Sequence, residues 1–185
     1  MNLNSNSKRQ LILAAASEII RNQGVEKLTL EAAAREAGVS KGGLLHHFPN
    51  KNALIQGLVE ELTDGFVADV QGRAAQSAVE QGRWSRAYTE SVAYDIQEGN
   101  GISTALTAAL FSKPELLEKL QEQYTLWQKN IENDGIDPVR STIVRLAADG
   151  LWFSEMFGFG KLEPALREQV IRELLKMTDK EEKGL

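Results

Sequence analysis

The sequence predicts an all-α protein of about nine helices. Apolar residues recur at spacings of three and four along most of the 185 residues, which is the period of an amphipathic helix. Sustained alternation of apolar and polar residues, which would indicate half-buried strands, does not occur. Hydrophobic residues make up 42% and charged residues 25% of the chain, a composition typical of globular proteins.

The first helix is predicted to begin at Ser7, which has capping-box spacing with Gln10. Gly24 suits the C-terminal cap of this helix, because glycine adopts the left-handed backbone conformation without strain. Three apolar residues are expected on one face of the helix: Leu11, Ala15 and Ile19.

Two short helices are predicted next. Thr29 is a good N-cap for a helix that ends near Ala37, and Gly38 suits the tight turn that follows. Ser40 can cap the second short helix. This helix must end before Pro49, since proline disfavours helical geometry in the residue that precedes it.

A long helix is expected from Asn50, which is a favourable N-cap. Five of its apolar residues follow one another at a spacing of four: Leu54, Leu58, Leu62, Phe66 and Val70. Such a ladder indicates one continuous buried face.

Capping residues and prolines also mark the helices of the second half. Ser112 and Glu115 form a second capping box, and Asp137 followed by Pro138 is a strong helix start. Pro164 opens the last helix. The predicted helices are residues 84–98, 102–111, 112–133, 138–157 and 164–177.

Composition and charge limit the class of protein. The chain holds no cysteine and no apolar stretch long enough for a membrane span, and its polar N-terminus lacks the apolar core of a signal peptide. We therefore expect a soluble, cytoplasmic protein. Residues 1–56 carry a net charge of +3 and residues 57–185 a net charge of −8. A basic head on an acidic body would orient the molecule toward a polyanion.

The two short helices have the spacing of a helix-turn-helix, whose second helix enters the major groove of DNA. This second helix carries Gly42 and Gly43 side by side, although each glycine costs about 1 kcal/mol relative to alanine inside a helix. Without Cβ atoms, these residues allow the backbone to approach another surface closely, and a DNA groove is a good candidate. Lys41 and Lys51 can supply the charge that displaces counterions from the duplex.

Residues 39–54, with the sequence VSKGGLLHHFPNKNAL, resemble the signature of the TetR family of transcriptional regulators, and the likeness extends over residues 11–62. The resemblance implies a three-helix DNA-binding domain at residues 1–52. It also implies a larger helical ligand-binding and dimerisation domain at residues 53–185. The residues implied to contact DNA are Thr29, Ser40, Lys41, Gly42, Gly43, Leu45, His46 and Lys51.

Leu45 departs from the pattern of the family, whose members usually have a tyrosine at this position. A phenol can bond a phosphate and pack on a thymine methyl group, whereas leucine can only pack. The base preference at this position therefore stays open.

The adjacent histidines raise the question of a metal site. His46 and His47 point about 100° apart on a helix, and cysteine is absent, so we expect neither a metal nor a cofactor. One histidine is assigned to the DNA face and the other to packing beside Phe48.

The second half resembles the family only in its pattern of helices. The resemblance implies a homodimer formed through the last two helices, and the two-fold symmetry needed to read a palindromic site supports it. One stripe on these helices consists of Ile143, Leu146, Ala147, Gly150, Leu151 and Ser154, and the other of Leu166, Val170, Leu174 and Met177. Such stripes are more often plain core, so the dimer rests mainly on the resemblance.

A ligand pocket is implied in the same way. The nominated ligand-binding residues are Phe111, Trp127, Trp152 and Met156, although aromatic residues at helical spacing usually fill a core. With few charges expected near them, the effector would be mostly apolar or amphipathic. If the acidic residues faced inward, they would instead favour a cation; these residues are Asp95, Asp149 and Glu155.

The sequence thus favours a ligand-responsive repressor that binds a palindromic operator in double-stranded DNA as a dimer. A constitutive DNA-binding dimer without an effector pocket is the alternative. An enzyme is not expected, because the chain shows no nucleophile–base constellation, no metal-ligand spacing and no phosphate-binding glycine loop.

Overall fold

The computed structural model describes residues 3–97, 107 and 113–179. These residues contain no strand, and the predicted all-α class is confirmed. Eight helices lie wholly within the described residues: α1 (Leu3–Gln23), α2 (Leu30–Glu36), α3 (Lys41–His47), α4 (Lys51–Gln76), α5 (Arg83–Gln97), α6 (Pro114–Glu132), α7 (Pro138–Phe157) and α8 (Pro164–Lys176). The helix predicted over residues 102–111 lies outside the described residues, apart from residue 107.

None of the described helices has both the length and the apolarity that a membrane crossing requires.

The described residues form two compact units. The N-terminal unit contains residues up to 63, with residues 107 and 113–117, and the C-terminal unit contains residues 64–97 and 118–179. Helices α4 and α6 contribute residues to both units. By their contacts, residues 53–63 belong to the N-terminal unit. The boundary at residue 52 between a DNA-binding domain and a ligand-binding domain stays a prediction.

Side-chain caps begin four of the helices where the sequence predicts them. The Thr29 hydroxyl accepts a hydrogen bond from the Ala32 amide at 3.0 Å, and the Ser40 hydroxyl accepts one from the Gly43 amide at 3.1 Å. Two further caps with the same arrangement are Asn50 at the start of α4 and Asp137 at the start of α7. These short-range bonds satisfy amide groups that a helix leaves unpaired, so local sequence is enough to predict them.

The predicted start of the first helix is wrong. Helix α1 begins at Leu3, so Ser7 lies inside it. No glycine or proline interrupts residues 3–10, and each added residue extends the helix by one hydrogen bond. Leu11 is 52% exposed, so it does not share the burial of Ala15 and Ile19.

The helix that follows the second predicted capping box starts one residue later than an N-cap at residue 112 implies. Helix α6 begins at Pro114, and the Lys113 carbonyl accepts hydrogen bonds from the amides of Leu116 and Leu117, both at 3.1 Å. Lys113 therefore takes the N-cap position, because proline suits the first position within a helix. Ser112 lies outside the described residues.

The N-terminal unit buries the faces on which α1, α2 and α3 meet. Ala33 and Ala34 on α2 are 0% and 4% exposed, and Leu44 on α3 is 0% exposed. The small side chains allow the two short helices to cross closely, as predicted. Gly38 has a φ of +66° in the turn between them, a backbone conformation that suits glycine.

The C-terminal unit has an aromatic core. The Trp127 ring on α6 lies 5.3 Å from the ring of Tyr88 on α5 and 5.5 Å from that of Phe66 on α4, each measured between centroids. Helix α5 also packs against α7 and α8. Steep angles between these rings match the edge-to-face geometry that aromatic pairs prefer.

Asp134 anchors the start of α5 in this unit. Its carboxylate accepts hydrogen bonds from the amides of Trp84 and Ser85 at 3.0 and 2.8 Å, and its carbonyl accepts one from the Gly82 amide at 2.7 Å. Asp134 is 4% exposed, so these three donors replace the water that this residue loses on burial.

Candidate nucleic-acid interface and effector site

Helix α3 has one buried face and one open face. Leu44 is fully buried, whereas Gly42, Leu45 and His46 on either side of it are exposed. Because Leu45 and Gly42 are exposed, they bury little apolar surface in the free chain and add little to its stability. Both residues are available to an external surface.

The two capping hydroxyls can serve a second partner. Thr29 and Ser40 are exposed, and each oxygen accepts one hydrogen bond from its own helix. A hydroxyl that accepts a bond still holds one proton to donate. Each residue can therefore cap its helix and donate to a phosphate oxygen at the same time.

The open surface around Gly42 is not required by packing within the chain. Beyond its chain neighbours and the backbone of its own helix, a Cβ atom placed on Gly42 would meet no atom within 4 Å. On Gly43 it would lie 3.2 Å from the Ser40 hydroxyl oxygen, so that glycine partly serves the cap. The free protein thus has room for a side chain at residue 42, and no steric constraint explains why glycine is there despite its cost in conformational entropy.

Lys41, a predicted DNA contact, already has an acidic partner. Its ammonium group lies 2.6 Å from a carboxylate oxygen of Glu31 on α2, and the two side chains are 60% and 62% exposed. The hydrogen bond from Lys41 holds the pKa of Glu31 below its ordinary value of 4.5. An exposed pair of this kind is weak, so a phosphate group can displace the carboxylate.

Lys51 is held by the backbone. Its ammonium group donates a hydrogen bond to the carbonyl oxygen of Val25 at 3.3 Å, in the 3₁₀ turn Val25–Lys27. This bond ties the start of α4 to the segment that follows α1. The predicted phosphate contact of Lys51 would have to form from that position.

The two histidines occupy different environments. His46 is exposed, and His47 is half-buried with its ring centroid 6.5 Å from that of Phe48. Burial, followed by the positive charges of His46, Lys8 and Arg9, lowers the pKa of His47. Among the described residues, no group of three or more metal-ligating side chains is arranged to hold a metal ion.

Sequence reasoning missed two residues that shape this surface. Glu31 lies ten positions from Lys41 on another helix, and Gly57 lies beneath Phe48, where a Cβ atom would be 2.7 Å from the ring. Glu31 carried a local signal, since an acidic residue favours the first turn of a helix. No local pattern pairs either residue with its partner.

The nominated ligand-binding residues lie in different environments. Trp127 is 2% exposed, and the rings of Phe66, Tyr88 and Tyr124 surround it. Trp152 and Met156 on α7 are half-buried. Phe111 lies outside the described residues. An open surface cleft of about 560 Å³, which Pro138 and its neighbours line, includes none of the four.

The expectation of few charges near these residues is wrong. The Trp152 indole donates a hydrogen bond to the Asp95 carboxylate at 2.6 Å. Tyr88 and Tyr124, which contact Trp127, donate to the Asp149 carboxylate at 2.5 and 3.3 Å. These carboxylates face inward because of how their helices are rotated about their own axes. The sequence alone does not show that rotation.

Part of the predicted dimer surface is exposed in the chain. Ile143 and Leu146 on α7 are 51% and 55% exposed, and Leu166 on α8 is 49% exposed. Leu151 and Leu174 are buried within the C-terminal unit. Exposed apolar residues on neighbouring helices are typical of interaction surfaces.

Models of known families match both halves of the chain. Residues 12–58 match the model described as bacterial regulatory proteins, tetR family, and residues 82–179 match the tetracyclin repressor-like C-terminal domain. The nucleoid occlusion factor SlmA of Vibrio cholerae is 31% identical over 65 residues, or 35% of this chain and 33% of that protein. The chain thus matches only about a third of the length of this relative.

Solved structures match over nearly the whole chain. A transcriptional regulator from Rhodococcus sp. Rha1 superposes with a TM-score of 0.68 at 19% identity, covering 92% of this chain and 95% of that one. The multidrug binding protein EbrR complexed with malachite green superposes with a TM-score of 0.58 at 21% identity, covering 93% and 98%. At these identities the likeness shows the fold.

Replacing Gly42 by alanine is expected to stabilise the free protein and weaken its binding to DNA. The added methyl group meets open space and favours the helix by about 0.5–1 kcal/mol, but it would obstruct close approach to a groove. Gly65→Ala on α4 is the matched control, since Gly65 is also exposed and faces open space. Thermal unfolding and fluorescence anisotropy measure both effects. Unchanged DNA affinity in Gly42→Ala would show that the glycine does not serve close approach.

Replacing Glu31 by glutamine is expected to tighten DNA binding several-fold, because Lys41 loses its competing partner. The slope of log affinity against log salt should steepen by up to about one unit, as one more cation contacts phosphate. The comparison is repeated in a Lys41→Ala background, where the gain should largely disappear. An equal gain in both backgrounds would mean that Glu31 acts by general repulsion and not through Lys41.

The largely buried Asp95 is expected to make stability depend on pH. Burial raises its pKa above the ordinary value of 3.8, opposed by the hydrogen bond from Trp152. The folded protein therefore keeps this proton to higher pH than the unfolded chain, and the free energy of unfolding falls as pH rises through that window. Asp95→Asn removes this titration, so its melting temperature should rise relative to the parent's across the same window. A difference that does not vary with pH would contradict the assignment.

Proposed function

The chain belongs to the TetR family of bacterial regulatory proteins, and we propose that it is a repressor that binds a palindromic operator as a dimer and is released by a small effector. The open face of α3 carries this proposal. Gly42, Leu45 and His46 are exposed there, while Leu44 anchors the helix from behind. This arrangement suits a recognition helix, which must be rigid on one side and free on the other.

The DNA contacts are assigned to the residues at and around α3. Thr29 and Ser40 donate from their hydroxyl groups, Lys41 and Lys51 supply positive charge, and the glycines allow close approach. Leu45 packs on a thymine methyl group in place of the usual phenol. His46 is the last of the residues that we assign to DNA contacts. Phosphate contacts would set the register of the protein, and Leu45 and His46 would contribute to base preference.

Dimerisation is assigned to α7 and α8. The exposed fractions of Ile143, Leu146 and Leu166 support this assignment, because apolar side chains of this size on adjacent helices favour burial against a second copy. A dimer doubles the positive charge of the head and matches the symmetry of a palindromic site.

The effector is assigned to the C-terminal unit, near Trp152 and Met156. EbrR, which shares the fold, is a multidrug binding protein that has been crystallised with malachite green, and a related site here would take an amphipathic compound. The effector would favour a dimer conformation whose recognition helices no longer match successive major grooves. It can shift that equilibrium only by the difference between its affinities for the two states.

A constitutive DNA-binding dimer is the second candidate. The packing of Trp127 favours it, since this residue is 2% exposed and three aromatic rings surround it. In that case the aromatic residues would form a plain core, and small molecules would not change DNA affinity.

The test begins with selection of bound sequences from random double-stranded DNA. We expect the selected sequences to contain an inverted repeat whose half-sites are centred about 10 base pairs or a multiple apart. Sedimentation of the complex should show two chains on each site. Selected sequences without a repeat, or one chain per site, would contradict the proposal.

Compounds are then screened for release of the chain from the selected DNA, with anisotropy as the readout. Release at concentrations that leave the protein folded supports the repressor. If compounds bind the C-terminal unit without changing DNA affinity, or if none binds, the constitutive dimer is favoured.

A further inference from the structure

Among the described residues of the C-terminal unit, several largely buried carboxylates have partners that balance their charge. Asp149 pairs with the Arg145 guanidinium at 2.6 Å, and Glu155 pairs with the Arg167 guanidinium at 3.1 Å. Asp134 accepts hydrogen bonds from two amides at the N-terminus of α5, where the helix dipole supplies partial positive charge. Such compensation is expected, because a buried charge without a partner destabilises a protein.

Asp95 on α5 differs from these residues. It is largely buried, and its carboxylate accepts a hydrogen bond from the Trp152 indole at 2.6 Å. Within the part of the chain that the structure describes, Asp95 forms no ion pair. A neutral N–H group supplies a bond but no positive charge, so the carboxylate keeps an uncompensated charge whenever it is ionised.

Aromatic rings extend from the partner of Asp95 toward the surface. Trp152 and Phe153 meet edge to face at 5.3 Å, Phe153 stacks on Phe157 at 5.8 Å, and Phe157 stacks on Phe159 at 5.7 Å between ring centroids. Phe153 is 37% and Phe159 is 74% exposed. The faces of such rings attract organic cations.

We propose that Asp95 and the aromatic row from Trp152 to Phe159 bind a lipophilic organic cation, whose positive charge pairs with the Asp95 carboxylate. The proposal rests on the proposed function, since this cation would be the effector. One carboxylate with an oxygen already bonded to Trp152 is a poor site for a metal ion, which needs several oxygen ligands. An organic cation needs a single counter-charge and apolar contact area, and both are present.

The role of Asp95 as a mere partner for the Trp152 indole is a distinct alternative. Asparagine would accept the same hydrogen bond through its carbonyl oxygen while it removes the charge. Asp95→Asn therefore separates the two roles, because it keeps the shape and the bond.

The experiment is isothermal titration of the full chain with tetraphenylphosphonium, and with tetraphenylborate as an ion of the same shape and opposite charge. We expect tetraphenylphosphonium to bind and tetraphenylborate to bind far more weakly. Asp95→Asn should weaken tetraphenylphosphonium binding roughly tenfold, as expected for loss of a partly desolvated charge pair. Glu122→Gln, which removes an exposed carboxylate of the same unit, should bind as the parent does. Phe153→Leu should weaken binding several-fold if the aromatic row contributes.

Equal binding of the two ions, or unchanged binding in Asp95→Asn, would overturn the proposal. DNA affinity is measured separately with the selected operator. Binding of tetraphenylphosphonium that depends on Asp95 but does not release DNA would support the cation site and contradict the effector role. Release of DNA by neutral compounds alone would support the repressor and contradict the role of a cation as its effector.

Discussion

The N-terminal unit depends on the contact between Phe48 and Gly57. Phe48 is 3% exposed, and a Cβ atom on Gly57 would lie 2.7 Å from its ring and 3.3 Å from the Leu13 side chain, so only glycine leaves room for the ring. The Arg9 guanidinium lies 5.5 Å from the ring centroid. Because Phe48 directly follows the last residue of α3, its position fixes that end of the helix against α1 and α4. Leu44 fixes the middle of the helix, and the open face then follows from helical geometry.

Charged residues are arranged differently in the two units. Acidic residues compensate part of the positive charge in the N-terminal unit, as Glu31 does for Lys41 and Glu60 does for Arg9. The Glu31–Lys41 pair is exposed and the Glu60–Arg9 pair is partly exposed, so water weakens both, and neither competes strongly against phosphate. In the C-terminal unit the important charges are largely buried. Arg145 balances Asp149 there, whereas no cation among the described residues pairs with Asp95. An unpaired, largely buried charge lowers the stability of the free protein, and a ligand of opposite charge would offset that loss.

Local features of the sequence predicted most of the helix boundaries. Ser40, Asn50 and Asp137 cap their helices through bonds that span three residues, and Pro49 ends α3 through steric contact with its neighbour. Contacts between distant residues could not be predicted in this way. The bond from Trp152 to Asp95 joins residues 57 positions apart, and the Glu31–Lys41 pair depends on how two helices cross. The exposure of Leu11 was missed for the same reason, since periodicity shows that a face is apolar but not which side of it the neighbouring helices cover.

The most direct test of the recognition surface is a crystal structure of the chain bound to its selected DNA. The open face of α3 should then lie in the major groove, with the Gly42 backbone in van der Waals contact with the DNA, at about 4 Å or less. Lys41 should have exchanged Glu31 for a phosphate oxygen. A complex in which the space beside Gly42 stays open, or in which another surface meets the DNA, would contradict the role assigned to α3.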